Sequence, residues 1–187
     1  MKKAALLVIM FVLTAFVFGA EPAKMTVTSK VFKAEEMIPK EYTCEGTDIS
    51  PDISWSGAPK GSKSFVIICD DPDIPVKTAA MKEWVHWVVY NIPADVRSIK
   101  RSQPKLGILP GGARQGLNDF RKNAYGGPCP PFGVHRYYFR VYAVDIMIDI
   151  APSKADKKSV LEAIKGHIVG YGELMAKYEK AGQKGKK

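Results

Sequence analysis

Metal-ligand spacing is missing from this sequence, and so is any long apolar run beyond its start. The 187 residues hold only three cysteines and three histidines. The cysteines stand apart at Cys44, Cys69 and Cys129, and no His-x-x-x-His occurs, so the usual zinc patterns are absent. After residue 20 no segment approaches the ~20 apolar residues that a spanning helix needs. There is no internal repeat, and no second domain is evident. Acidic side chains are outnumbered, 19 against 28 basic ones, which leaves a formal net charge of +9. A basic surface attracts nucleic acid, anionic lipid or acidic ligands.

What is present begins with an address. Lys2 and Lys3 precede an apolar or small stretch over residues 4–18, followed by Gly19, Ala20 and then Glu21-Pro22. This is the layout of a secretory signal peptide. An uncleaved anchor shares much of it, whereas a lipoprotein would need a cysteine at the end of the run. The expectation is a leader over residues 1–20 and a single domain over 21–187, in the periplasm or outside the cell. Removing 20 of the 187 residues leaves 167, enough for one domain with a proper core. The charge falls from +9 to +7 as Lys2 and Lys3 leave. Much of the rest is a lysine-rich end (Lys177, Lys180, Lys184, Lys186, Lys187), read as a solvated tail. Export argues against nucleic acid as a partner. Cys69, within Phe65-Val66-Ile67-Ile68-Cys69, reads as a buried thiol. Cys44 and Cys129 fall in loops, where an oxidising compartment permits a bridge; a disulfide and two separate thiols both fit the sequence.

Strand signals dominate the middle of the chain. Residues 25–32 alternate, and residues 63–70 form an apolar run suited to a strand buried on both faces. Asp71-Pro72-Asp73-Ile74-Pro75 ends that run, because its prolines cannot continue sheet pairing. Residues 83–92 predict the next strand and 137–144 the last strong one. A short strand is expected near Ile53 in a loop-rich region over 38–59, while 97–124 read as loop. From 153 to 180 the period changes. Val160, Ala163, Ile164, His167, Ile168, Tyr171, Leu174, Met175 and Tyr178 recur at three and four, predicting one amphipathic C-terminal helix with Ser153 or Asp156 as N-cap. His167 is then an interfacial helix residue, and Trp55, Trp84 and Trp87 read as core. Irregularly spaced strands followed by a helix point to a mainly β chain, a β-sandwich with a peripheral C-terminal α-helix.

The stretch Gly126-Gly127-Pro128-Cys129-Pro130-Pro131-Phe132-Gly133-Val134-His135-Arg136-Tyr137 sets three prolines and three glycines directly before a strand. Proline fixes φ and removes donors, and glycine permits close backbone approach, so the loop holds one shape. His135 and Tyr137 are two apart and share a strand face. A pocket wall and a rigid connector with satisfied polar groups are both open readings. Asp71 and Asp73 at the exit of one strand, with His86 in the next, complete a coherent set if those strands pair.

Asp71-Pro72-Asp73-Ile74-Pro75, Trp84-Val85-His86-Trp87 and the Gly-Pro loop through Tyr137 occur in order, and together they resemble the phosphatidylethanolamine-binding protein (PEBP) family, also called Raf kinase inhibitor-like proteins. Ser50-Pro51 with Trp55, Asn118-Asp119 and the loop cysteine resemble its bacterial branch. The resemblance extends from about Met25 to Tyr178. It implies a PEBP-like antiparallel sandwich and a small pocket for phosphate-like anions, including phospholipid headgroups. Carried over residue by residue, that pocket comprises Asp71, His86, Gly127, His135 and Tyr137, with Asp73 and Pro128 beside them. Imidazole N–H, the tyrosine hydroxyl and a backbone N–H at Gly127 would supply donors. Asp71 would repel phosphate, so its expected part is to orient a histidine, or else to face an ammonium group. Two departures stand out: Val85 where eukaryotic members often have a second histidine, and Ala176 where glycine usually precedes the tyrosine by two.

The leading expectation is an exported, non-catalytic binding protein for a small phosphate-like ligand, without metal or cofactor. An inhibitor of a protease or other protein partner is the alternative. An enzyme, with zinc on His86, His135 and a carboxylate or with Cys129 as nucleophile, is a third. The flanking prolines argue for a structural role for Cys129. The oligomeric state stays open, a homodimer included.

Overall fold

A computed structural model of the chain describes residues 21–79 and 81–182. The leader expected over 1–20 and the last lysines of the tail, from residue 183 on, lie outside them. In chain order the strands are β1 (Ala23–Lys24), β2 (Thr26–Thr28), β3 (Ile53–Ser56), β4 (Ser64–Asp71), β5 (Trp84–Pro93), β6 (Ser98–Ile99), β7 (Arg114–Gln115), β8 (Val134–Val144) and β9 (Ile168–Glu179). One α-helix, α1 (Lys157–Ala163), is found among the described residues. Six strands make a large sheet in the order β1-β9-β8-β4-β5-β7, and β2-β3-β6 make a small one. Every strand pair is antiparallel except β1 with β9.

The apolar run of β4 has the cause its composition suggests: all eight residues are buried. Phe65, Ile67 and Cys69 join the core shared with the small sheet, alongside Val27, Ile53 and Trp55. Val66 and Ile68 face the other way, into a second core with Val88, Tyr90 and the α1 residue Val160. Each such side chain contributes about 1.5–3 kcal/mol when fully buried. With both faces of the large sheet covered, open surface for function is left at the strand ends.

The long C-terminal helix does not form. Asp156 does cap a helix, its side chain accepting the Ser159 N–H at 2.8 Å, but α1 ends at Ala163. Gly166 then adopts a positive φ of 80°, open to glycine at little cost, and the chain reverses into β9. β9 pairs with β8 from Ile168 to Glu179, so the expected peripheral helix is mostly a central strand. His167 lies in the turn before it, where its Nδ1–H donates to Asp145 at 2.8 Å, rather than on a helix interface. The first strand is also shorter than the alternation over 25–32 implied, with pairing limited to β2. Cys44 and Cys129 are joined by a disulfide across 85 residues of sequence, and Cys69 is a buried free thiol.

Candidate functional site

Antiparallel pairing brings three strand ends to one edge of the large sheet. Asp71 is the last residue of β4 and pairs with Trp84, the first of β5. On the other side Asp70 pairs with Tyr138, which places the start of β8 beside the same point. A bulge sharpens the arrangement. Cys69 pairs with Trp87 while its neighbour Asp70 pairs with Val85, so β5 spends one extra residue here. Val85 and Val88 join the core on the α1 side, whereas Trp87 joins the inter-sheet core. His86 meets Tyr137 of that core edge-on, with ring centroids 5.2 Å apart. Bulges re-aim side chains in this way beside binding sites.

His86, His135, Tyr137 and Asp71 line a cavity of about 310 Å³. The His86 Nδ1–H donates to the Gly126 carbonyl at 2.6 Å, and the Gly126 N–H returns a bond to the His86 carbonyl at 3.0 Å. The His135 Nδ1–H donates to Asp71 Oδ2 at 2.7 Å. The second oxygen of Asp71 accepts the Asp73 N–H, also at 2.7 Å. Asp71 therefore orients a histidine. Both imidazoles are locked through Nδ1, and neither Nε2 has a hydrogen-bond partner among the described residues. The Tyr137 hydroxyl is buried and likewise unpartnered. Burial, then the nearby Asp71 charge, push its pKa up, and it stays a donor; the carboxylate is close, but no hydrogen bond of adequate geometry forms. Burial holds the His86 pKa below its ordinary value, which favours the neutral ring with Nε2 as an acceptor.

Other residues carried over from the family pattern are placed elsewhere. The Gly127 N–H, expected to serve the ligand, donates to Asp48 Oδ1 at 2.6 Å. A Cβ on Gly127 would lie 2.6 Å from both that oxygen and the Tyr42 carbonyl, so the glycine answers to close packing against the 42–48 loop. The Pro128 carbonyl accepts from the Cys44 N–H at 3.1 Å. Asp73 turns from the cavity to Arg136, accepting from its Nε at 2.8 Å and its Nη2 at 2.7 Å. That pairing lowers the Asp73 pKa to about 2. The apolar walls were not foreseen. Trp84, read as core, lines the cavity and packs edge-on against Phe120, with Val76, Met81 and Pro130 nearby. Their signal lay in apolar residues inside loops, at Val76 and Phe120. Cys129 is part of the wall, but as half of a disulfide it has no thiol to act as nucleophile.

Comparison with known proteins decides the family: the phosphatidylethanolamine-binding protein model matches residues 28–179. The chain belongs to this family. A UPF0098 protein of Methanothermobacter thermautotrophicus is 46% identical over 156 residues, spanning 83% of this chain and 99% of the relative. One from Aquifex aeolicus is 44% identical over 165 residues, 87% of this chain and 93% of its own. Among solved structures, Escherichia coli YbcL, described as a new member of the mammalian PEBP family, has 34% identity and a TM-score of 0.76 over 83% of this chain and 98% of its own. The PEBP homologue CT736 of Chlamydia trachomatis gives 39% identity and a TM-score of 0.75, over 84% and 98% of the two chains. This PEBP domain is thus of the bacterial YbcL-like branch and has the mainly β PEBP fold. Within it no group of three or more His, Cys, Asp or Glu side chains is placed to hold a metal ion among the described residues.

Proposed function

We propose that this PEBP-family binding protein acts after export, without catalysis, by holding a small phosphate-like anion or phospholipid headgroup in the cavity at the strand ends. The observation that carries the reading is the convergence of three polar groups without protein partners: His86 Nε2, His135 Nε2 and the Tyr137 hydroxyl, all belonging to residues of one cavity. Buried polar groups are ordinarily paired, and the buried Tyr137 hydroxyl, with both Nε2 atoms free beside it, is suited to a ligand able to pair them. A phosphomonoester monoanion suits the set. Its P–OH can donate to a neutral His86 Nε2, and its charged oxygens can accept from the Tyr137 hydroxyl, with His135 held beside them by Asp71. The Cys44–Cys129 disulfide and the signal-like start of the sequence support export.

Calorimetric titration with phosphate and with phosphoethanolamine tests the reading. His86→Ala and His135→Ala are each expected to abolish binding while leaving the far-UV circular dichroism unchanged. Affinity that is unaltered in both variants removes the pocket. Binding should also weaken as pH rises through the second ionisation of the phosphate, since the P–OH proton that His86 Nε2 accepts is then lost.

A further inference from the structure

We propose that the Cys44–Cys129 bridge is a redox latch on this cavity, at which thiol–disulfide exchange switches the site between a binding, oxidised form and a weakly binding, reduced one. This deepens the headgroup reading and rests on it.

The bridge is not placed like a buried staple. Cys44 and Cys129 are both exposed, whereas the free Cys69 is buried. Cys129 also lines the cavity, together with Pro130 and Pro131 that follow it. Exchange requires a thiolate to reach a bridge sulfur, and exposed bridges are the labile, regulatory ones. Here a small thiol can reach the bond with the domain folded.

The loop that carries Cys129 also sets the polar end of the site. The Gly126 carbonyl accepts the His86 Nδ1–H at 2.6 Å and so leaves Nε2 to the cavity. Three hydrogen bonds fix the first part of the loop to the 42–48 segment. The Gly127 N–H donates to Asp48, the Cys44 N–H to the Pro128 carbonyl, and the Tyr125 hydroxyl to the Tyr42 carbonyl. All three attach to the loop before Cys129. Residues 130–133, up to the start of β8, have no hydrogen bond among the described residues. The disulfide is therefore the last attachment before Pro130 and Pro131 enter the wall. Proline fixes the shape of that stretch but not its place. Once the bond opens, a stiff segment is free to swing as a unit, and the ligand must reorder it on binding, at a cost in affinity.

The chemistry needs only a low-molecular-weight thiol. One thiolate attacks a bridge sulfur, forms a mixed disulfide and releases the other cysteine as a thiolate. A second thiolate then displaces the protein from the mixed disulfide, leaving two protein thiols and one oxidised reagent disulfide. The linkage is reciprocal: a ligand that prefers the oxidised form shifts the exchange equilibrium toward the bridge by the same factor.

Dithiothreitol applied to the folded protein, followed by iodoacetamide and peptide mass mapping, tests access to the bond. Cys44 and Cys129 should become labelled while Cys69 stays unlabelled and the far-UV circular dichroism is unchanged. Labelling of Cys69 in step with the other two would mean that the bridge opens only by unfolding, and overturns the latch. Calorimetric titration with phosphoethanolamine of the protein kept reduced, without alkylation, tests the coupling. Affinity should fall at least about fivefold relative to the oxidised protein, and reoxidation should restore it. Cys44→Ser/Cys129→Ser should bind like the reduced form and ignore the reductant; binding like the oxidised wild type overturns the latch. In a fixed dithiothreitol redox buffer, saturating phosphoethanolamine should raise the ratio of bridged to open protein by the factor seen in the affinities. Equal affinity of the two forms overturns the latch and leaves the headgroup reading standing. Absence of binding by the oxidised protein overturns both.

Discussion

Replacing Tyr137 by phenylalanine removes one oxygen from the base of the cavity and leaves the ring that packs on His86. The hydroxyl is buried without a partner. Burying such a group costs about 1–3 kcal/mol in proteins, so its removal should make the ligand-free protein more stable, by about 1 kcal/mol once relaxation of the site is allowed for. The same oxygen is, on the proposed reading, a donor to a charged phosphate oxygen. Hydrogen bonds to charged groups contribute roughly 1.5–3 kcal/mol, so affinity for phosphoethanolamine should fall about tenfold to a hundredfold. The two effects have opposite signs, and that is the diagnostic. Urea denaturation of Tyr137→Phe should give a midpoint at or above the wild-type value, and calorimetry a weaker complex. A variant that is destabilised by more than 1 kcal/mol, or that binds with unchanged affinity, would refute the reasoning: the hydroxyl would then be a structural group with a partner in the folded protein.

Three further outcomes follow from the geometry. The Cys44–Cys129 bridge closes a loop with a sequence separation of 85 residues, for which chain entropy gives about 4–5 kcal/mol; Cys44→Ser/Cys129→Ser should therefore melt roughly 10–18 °C lower by calorimetry, and an unchanged midpoint would mean that the bridge does not form in solution. Burial holds the folded pKa of His86 below the ordinary imidazole value of about 6.5, so the unfolded chain binds more protons in the window below that value and stability is lost as pH falls through it; denaturation at about pH 7.5 and about pH 5 should show a larger loss in wild type than in His86→Asn, and equal losses would dispose of the buried neutral histidine. Asp73→Ala should keep phosphoethanolamine affinity, because that carboxylate faces Arg136 rather than the cavity; a collapse of affinity comparable with His135→Ala would return Asp73 to the site.

The strands that build the site were plain from their residues. The unbroken apolar run of β4, the aromatic and β-branched β5, and the pairing of His135 with Tyr137 two positions later each carry a strong local signal. β9 did not. Its inward positions are Gly170, Gly172, Leu174, Ala176 and Tyr178, and alternation that places glycine at buried sites is invisible to hydropathy. Those glycines are required by contact: a Cβ on Gly172 would lie 2.3 Å from the Met25 carbonyl oxygen. With that face hidden, Ile168, Tyr171 and Met175 completed a helical period by default. The fate of the Gly127 N–H was similarly out of reach, since its acceptor, Asp48, lies 79 residues away in the chain. Local sequence reveals which groups a loop carries, whereas long-range packing decides which of them are already in use.

The pairing of β1 with β9 has a consequence for the order in which the protein can be made. Ala23 and Lys24 lie against Gly170 and Tyr171, and the Ile38 N–H donates to the Lys177 carbonyl at 2.7 Å. The first segment of the domain thus has no resting place until almost the last has been synthesised. At ~5–20 residues per second that interval is roughly 7–30 s, during which β1 has nothing to close upon. On the proposed reading of export such lateness is useful, because a chain that cannot complete its large sheet early stays threadable until translation is nearly over. It also means that deleting Ala23 and Lys24 would strip Gly170 and Tyr171 of β9 of their outer partner.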